Sequence, residues 1–340
     1  MECLQITWFA LWGILWAAYF MLDGFVLGMG MVYPVVAASD GEKRALINSV
    51  GPVWNGNEVW LITAGGATFA AFPTTYALMF SYLYTALLLL LVSLIIRGVS
   101  LEFRGKHDSP QWKRACDFGI YISGFLVSFL FGVAFGNIFR GLPMDASGYH
   151  GDLLYLLNPY GLLTGLLFVL LFAVHGSLYA GIKTQGALSE KALGFARKAW
   201  PALALTAAGF LIYTGSATTL YANYLKTPAL LIVPTAVVAA LVGSRLLLEK
   251  GAHLAAFASS CAAIFLIIST GMIGLFPNLI PSNLDPAHSL TIYNSSSSRL
   301  TLSIMTGVAA VFVPITIAYK IWVYRVFRAR VSVEDAESGY

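Results

Sequence analysis

The sequence predicts an all-α integral membrane protein: one polytopic membrane domain over residues 1–340 with about nine transmembrane helices. Its N-terminus lies outside and its C-terminus in the cytoplasm. Three observations predict it. Hydrophobic residues make up 58% of the chain and charged residues 11%, against about 25% charged in an ordinary soluble domain. The mean hydropathy is +0.77. Finally, the apolar residues fall into segments of spanning length, about 20 residues each, because lipid offers no partners to backbone N–H and C=O groups.

The first segment, about 7–37, is longer than a bilayer requires, so it tilts or protrudes. No cleavage pattern precedes it, so it is expected to stay in the mature protein. It carries "DGFVLGMGM", where Gly24 and Gly28 are four apart as in close-packing helices. "SDGEKRALINSV" reads as a short interfacial helix, with Ser39 and Glu42 spaced as a capping box. The second segment, 52–72, opens at Pro52, a residue suited to a helix start. The third is 76–101, the fourth 117–139, the fifth 161–183. The remaining four are 199–222, 228–248, 253–276 and 300–326. Two longer polar excursions, 140–160 and 277–299, separate spans. The tail 331–340 is acidic and expected to be mobile.

With nine crossings and an outside N-terminus, 17 of the 20 basic residues fall on the cytoplasmic side, counting helix ends. Only Arg140, Lys226 and Arg299 fall outside. An even number of crossings would scatter them, so the bias supports both count and orientation. The net charge of +4 is thus a topology signal rather than a nucleic-acid footprint. Cys3, Cys116 and Cys261 are far apart and have no metal-site spacing.

Ionisable groups inside spans cost about 2.5–3.5 kcal/mol each on insertion scales and are functional candidates. Four stand out: Asp23, Glu58, Arg97 and His175. Glu58 lies roughly 9 Å above the inner end of its helix, at 1.5 Å per residue. Arg97 lies about one turn above the inner end of the next helix, so the two can pair. Asp23 counts as higher and deeper. Asn55 and Glu58 are three apart and share a helix face. With Trp54 they form a polar stripe entering from the cytoplasm, suited to taking up protons or to locking Arg97. His175 reads as a hydrogen-bonded core histidine, with no second histidine at its depth to make a haem site. The small residues from Ala64 to Ala71 make a packing surface.

These residues carry a family resemblance. "NGNEVWLITAGGATFAAFP", "DGFVLGMGM", "GVAFGNIFRGLP", "LLNPYGLLTGLL", "FPNLIPSNLDPAHSLTIYNSSSSRLTLSIMTG" and "VPITIAYKIWVY" resemble, in order and over nearly the whole chain, subunit II of cytochrome bd quinol oxidases. The resemblance implies two four-helix bundles plus one peripheral helix, and a pseudo-symmetric heterodimer with subunit I in the prokaryotic inner membrane. It implies that haems b558, b595 and d and the quinol site belong to subunit I. The complex oxidises quinol and reduces dioxygen to water with cytoplasmic protons. Subunit II supports the haem region and supplies a proton path, and some members hold a structural quinone there. The chain is therefore expected to be an enzyme subunit with no catalytic residue or metal ligand of its own.

By the same resemblance, Trp54 and Arg97 match positions near the proton path and haem support, and Asp23 matches the acid of the D-G-F motif. Many relatives have Asp where Asn55 stands, and some have Gln where Glu58 stands. Glu58 is expected to replace the missing acid. The donor (ubiquinol or menaquinol), small accessory subunits and bound lipid stay open. A proton-coupled secondary transporter and a purely structural partner subunit are the other readings of the buried charges.

Overall fold

A computed structural model of the chain describes residues 1–334; the rest of the expected mobile tail, 335–340, lies outside the described residues. Thirteen α-helices dominate. The first, α1 (Glu2–Val36), is the hub: it packs against α3 (Trp54–Ala71), α6 (Pro110–Arg140), α8 (Pro159–Lys183) and α12 (His253–Leu275). Around this hub α5 (Tyr84–Phe103) packs on α6, α9 (Gly186–Ala217) on α8, and α11 (Ile232–Glu249) on α12. The last long helix, α13 (Arg299–Val326), lies on the surface and meets only α1 and α3 to any extent. The short helices are α2 (Asp40–Val50), α4 (Pro73–Tyr82), α7 (Leu153–Leu156) and α10 (Tyr221–Lys226).

Among the described residues, seven helices are long and apolar enough to cross a membrane. The expected segments 52–72 and 199–222 are not among them. In α3 the cause is its first turn, where Asn55, Asn57 and Glu58 dilute an 18-residue helix. In α9 it is Lys191, Arg197, Lys198 and Pro201 within 32 residues. The expected helix 76–101 is also divided. The chain breaks at Phe72, because Pro73 has no N–H to continue α3 and instead starts α4. It bends again at Leu83 before α5.

The α2 capping box forms. Ser39 Oγ accepts from Glu42 N at 3.1 Å, and Glu42 Oε2 accepts from the Ser39 and Ala38 amides. The start of the expected mobile tail is tied down, since Val331 N donates to Lys183 O at 2.7 Å.

The core of the hub is aromatic. Phe20 on α1 meets Phe131, Phe135 and Phe168 edge-on, each at 5.2 Å between centroids. Such edge-to-face pairs add to the area they bury. Beside this cluster the backbones of α1 and α8 touch. A Cβ on Gly28 would overlap the Phe172 carbonyl oxygen, and one on Gly176 would overlap the Met29 amide nitrogen. Each of Gly28→Ala and Gly176→Ala is expected to force the two helices apart, at a cost of about 1–3 kcal/mol or more. A lowered melting temperature of the detergent-solubilised protein would register it; an unchanged one would contradict the close crossing.

At the end opposite most of the basic residues, two small hairpins close the bundle. One pairs β1 (Met144–Asp145) with β2 (Gly148–Tyr149), the other β3 (Asn278–Ile280) with β4 (Leu290–Thr291). The two loops clasp each other. Leu142 N donates to Pro281 O at 2.9 Å, Asn283 N to Leu142 O at 3.0 Å, and Asn283 Nδ2 to Gly141 O at 2.8 Å. Gly141 sits at φ +90°, a conformation other residues rarely adopt.

Candidate functional site

The halves of α1, α3 and α5 nearer the basic end of the bundle converge on one guanidinium. Arg97 on α5 is 2% exposed, and its Nη1 donates to Asp23 Oδ2 on α1 at 2.7 Å. Its Nη2 donates to Glu58 Oε1 on α3. Asp23 is fully enclosed at 0% exposure, whereas Glu58 retains 23%. One arginine thus joins a carboxylate sealed inside the bundle to one that still reaches the protein surface. The planar, forked guanidinium suits two acceptors at once, which an ammonium would serve less well.

Counting residues from helix ends places Asp23 above Arg97; the structure brings them together. The long arginine side chain covers the difference in depth, burying its stem while its head finds acid. Asp23 Oδ1, Arg97 Nε and the Tyr19 hydroxyl, which lies one turn along α1 and interacts with Asp23, are buried and make no well-aligned hydrogen bond.

Asn55 does not join this group. It is exposed and takes no part in the Arg97 ion pairs, three residues before the partly exposed Glu58 on α3. The asparagine that matters structurally is Asn57, which the sequence reading passed over. It is fully buried, and its Nδ2 donates to Leu22 O at 2.7 Å. Its Oδ1 accepts from Tyr324 Oη at 3.1 Å and Lys320 Nζ at 3.3 Å, both on α13. Asn57 therefore stitches α1, α3 and α13 together. Asn57→Ala removes all three bonds and leaves the Tyr324 hydroxyl without its acceptor, with an expected loss of about 1–3 kcal/mol. Thermal melting of the purified protein measures this, and a melting temperature equal to the parent's would refute it.

Trp54 packs over Gly98 on α5, and its Nε1 donates to Glu102 Oε1 at 3.1 Å. It brackets Arg97 from the basic end of the bundle without touching it. His175 on α8 lies apart from the site. Its Nδ1 is bonded to Ser260 Oγ and its Nε2 to Met21 O at 3.0 Å, and its ring stacks on Phe257. With both nitrogens committed, His175 does not fit a haem ligand.

A separate ion network braces the basic end. Asp117 on α6 receives Lys43 Nζ at 2.8 Å, Arg104 Nε at 2.5 Å and Tyr33 Oη at 2.7 Å. Arg104 also reaches Asp40 at 2.8 Å. Nothing in the spacing of Asp40, Arg104 and Asp117 along the sequence marks this network, because its members come from four different elements.

Comparison with known proteins identifies the family. The chain is 35% identical over 370 residues to the cytochrome bd-I ubiquinol oxidase subunit 2 of Escherichia coli K12, covering 99% of this chain and 97% of that one. It is 34% identical over 339 residues to the cytochrome bd ubiquinol oxidase subunit 2 of Bacillus subtilis 168, covering 98% and 99%. In fold it is similar to a chain of the bd oxidase structure from Geobacillus thermodenitrificans, at a TM-score of 0.78 and 19% identity, covering 96% and 98%. The family described as cytochrome bd terminal oxidase subunit II matches residues 4–327. With full-length relatives above 30% identity and a family match over nearly its whole length, the chain belongs to the cytochrome bd terminal oxidase subunit II family.

Proposed function

We propose that this chain is the supporting and proton-supplying half of a bacterial inner-membrane quinol oxidase. Its partner is a haem-bearing subunit I, which holds haems b558, b595 and d, oxidises quinol and reduces dioxygen to water. The chain crosses the membrane nine times, α3 and the second half of α9 adding to the seven more apolar helices. The end carrying Lys43, Arg104, Lys106 and Lys183 faces the cytoplasm, following the positive-inside bias. Two four-helix bundles arise from α1, α3, α5 and α6 and from α8, α9, α11 and α12, with α13 peripheral. Subunit I docks where α3 and α5 expose Val59, Ile62, Ile95 and Val99, beside Gly65 and Gly66, which leave open space around their Cα atoms.

The observation that carries the proton path is the graded burial of two acids on one arginine. Glu58 is the acid with access to the surface, and it takes the proton from the cytoplasmic side. Arg97 holds it next to Asp23. The buried polar atoms of Asp23, Arg97 and Tyr19 are of the kind that hold ordered water in buried polar sites, and they continue the polar track along α1. The carboxylate that many relatives carry at position 55 stands here one turn further on, at 58. The same ion pair also favours a structural role for Glu58, since it ties α3 to α5. Oxygen consumption by a Glu58→Gln complex with intact haem spectra separates the two roles. Co-purification of subunit I with a haem d band tests the assembly itself.

A further inference from the structure

The loosest seam of the fold is the one between α13 and the hub. There α1, α3 and α13 leave an open groove of about 1050 Å³. Its walls are apolar, with Trp8 and Leu11 of α1 facing Phe312 and Ile317 of α13. Charge is confined to one end, the basic end of the bundle, where Lys320, Arg325 and Arg328 line the groove. Lys320 is anchored: its ammonium lies over Gly56, where a Cβ would collide with it, and bonds Asn57. Arg325 sits in the last turn of α13 and Arg328 two residues past its end, and neither forms an ion pair among the described residues.

In a bilayer, apolar walls do not select an occupant, because acyl chains are as apolar as the side chains they meet. Selection rests on the head group. Three cations within nine residues at and just past the end of α13, at the depth where a span ends, match a phosphodiester better than a neutral polar ring. Guanidinium groups bind phosphate oxygens in forked geometry, and basic residues beside a span draw anionic lipid.

We propose that this groove is a binding site for one anionic phospholipid. Its phosphate sits on Arg325 and Arg328 with Lys320 behind, and its acyl chains run between α1 and α13. The lipid supplies the contact that α13 otherwise lacks.

The test uses the intact oxidase complex, purified in mild detergent and exchanged until bulk lipid is gone. Native mass spectrometry and lipid extraction then identify what stays bound. The parent complex is expected to retain one phosphatidylglycerol. In Arg325→Gln/Arg328→Gln retention is expected to fall about tenfold or more, the size of losing two surface-charge contacts, while Arg325→Lys/Arg328→Lys keeps most of it. Should the glutamine pair fail to assemble, Ala309→Phe, which fills the groove and leaves the cations in place, is expected to expel the lipid. Equal retention in parent and variants overturns the proposal. So does a parent complex whose retained species is phosphatidylethanolamine or a quinone.

Discussion

Arg97→Ala is expected to abolish accumulation of the assembled complex. The substitution leaves Asp23, which is fully enclosed, with no cation and no well-aligned hydrogen bond. Removing one member of a buried ion pair costs about 3–5 kcal/mol, because the remaining charge cannot return to water. That is a large part of the stability of an average domain. The yield of co-purified subunits and the height of the haem d band measure the effect, and normal values for both would refute it. A second variant separates charge from packing. Arg97→Met combined with Asp23→Asn and Glu58→Gln removes the whole buried charge set, and replacing such a set entirely is often neutral. This triple variant is expected to recover much of the yield that Arg97→Ala loses, and to remain inactive.

Glu58→Gln is expected to assemble and to turn over slowly. The amide keeps the shape of the side chain and can still accept from Arg97, so the α3–α5 contact survives. What it cannot do is bind and release a proton near neutral pH. A side chain that passes protons in the rate-determining path commonly contributes 10²–10⁴-fold; for a relay that water can partly bypass, a loss of about tenfold or more is expected. Oxygen consumption at saturating quinol, with reduced-minus-oxidised spectra as the assembly control, decides it. Parent turnover across the pH range would leave Glu58 as a tie between helices only. Glu58→Asp, with its shorter reach, should fall between the two.

Much of this was legible in advance because membrane helices announce themselves locally. The apolar runs, the Ser39 capping box and the facing depths of Glu58 and Arg97 all follow from residue spacing within one or two elements. The misses are of another kind. Asp23 counts as higher than Arg97, but counting rises along two helices leaves out the reach of an arginine, which joins them at 2.7 Å. Asn57 and Asn55 look alike in sequence, although the two sit about 160° apart on a helix of 3.6 residues per turn. Only Lys320 and Tyr324, more than 260 residues later, reveal which of them faces inward. The family resemblance drew attention to position 55, where the acid is missing, and the structure shows that side chain outside the bundle. The Asp40–Arg104–Asp117 network has the same character: each charge looks like an ordinary loop or helix-end residue until four elements meet.

The clasp between the two polar loops carries a consequence for biosynthesis. Asn283 and Gly141 are 142 residues apart in the chain, and the strand holding Leu290 closes later still. A nascent chain that has threaded its first eight long helices into the bilayer still has an unfinished lid on the side away from the basic residues. The lid is completed only when the segment after α12 arrives, and α13 is laid on after that. Sealing of the subunit is therefore a late step of chain growth, and a product truncated before residue 283 would present its unpaired loop to quality-control proteases.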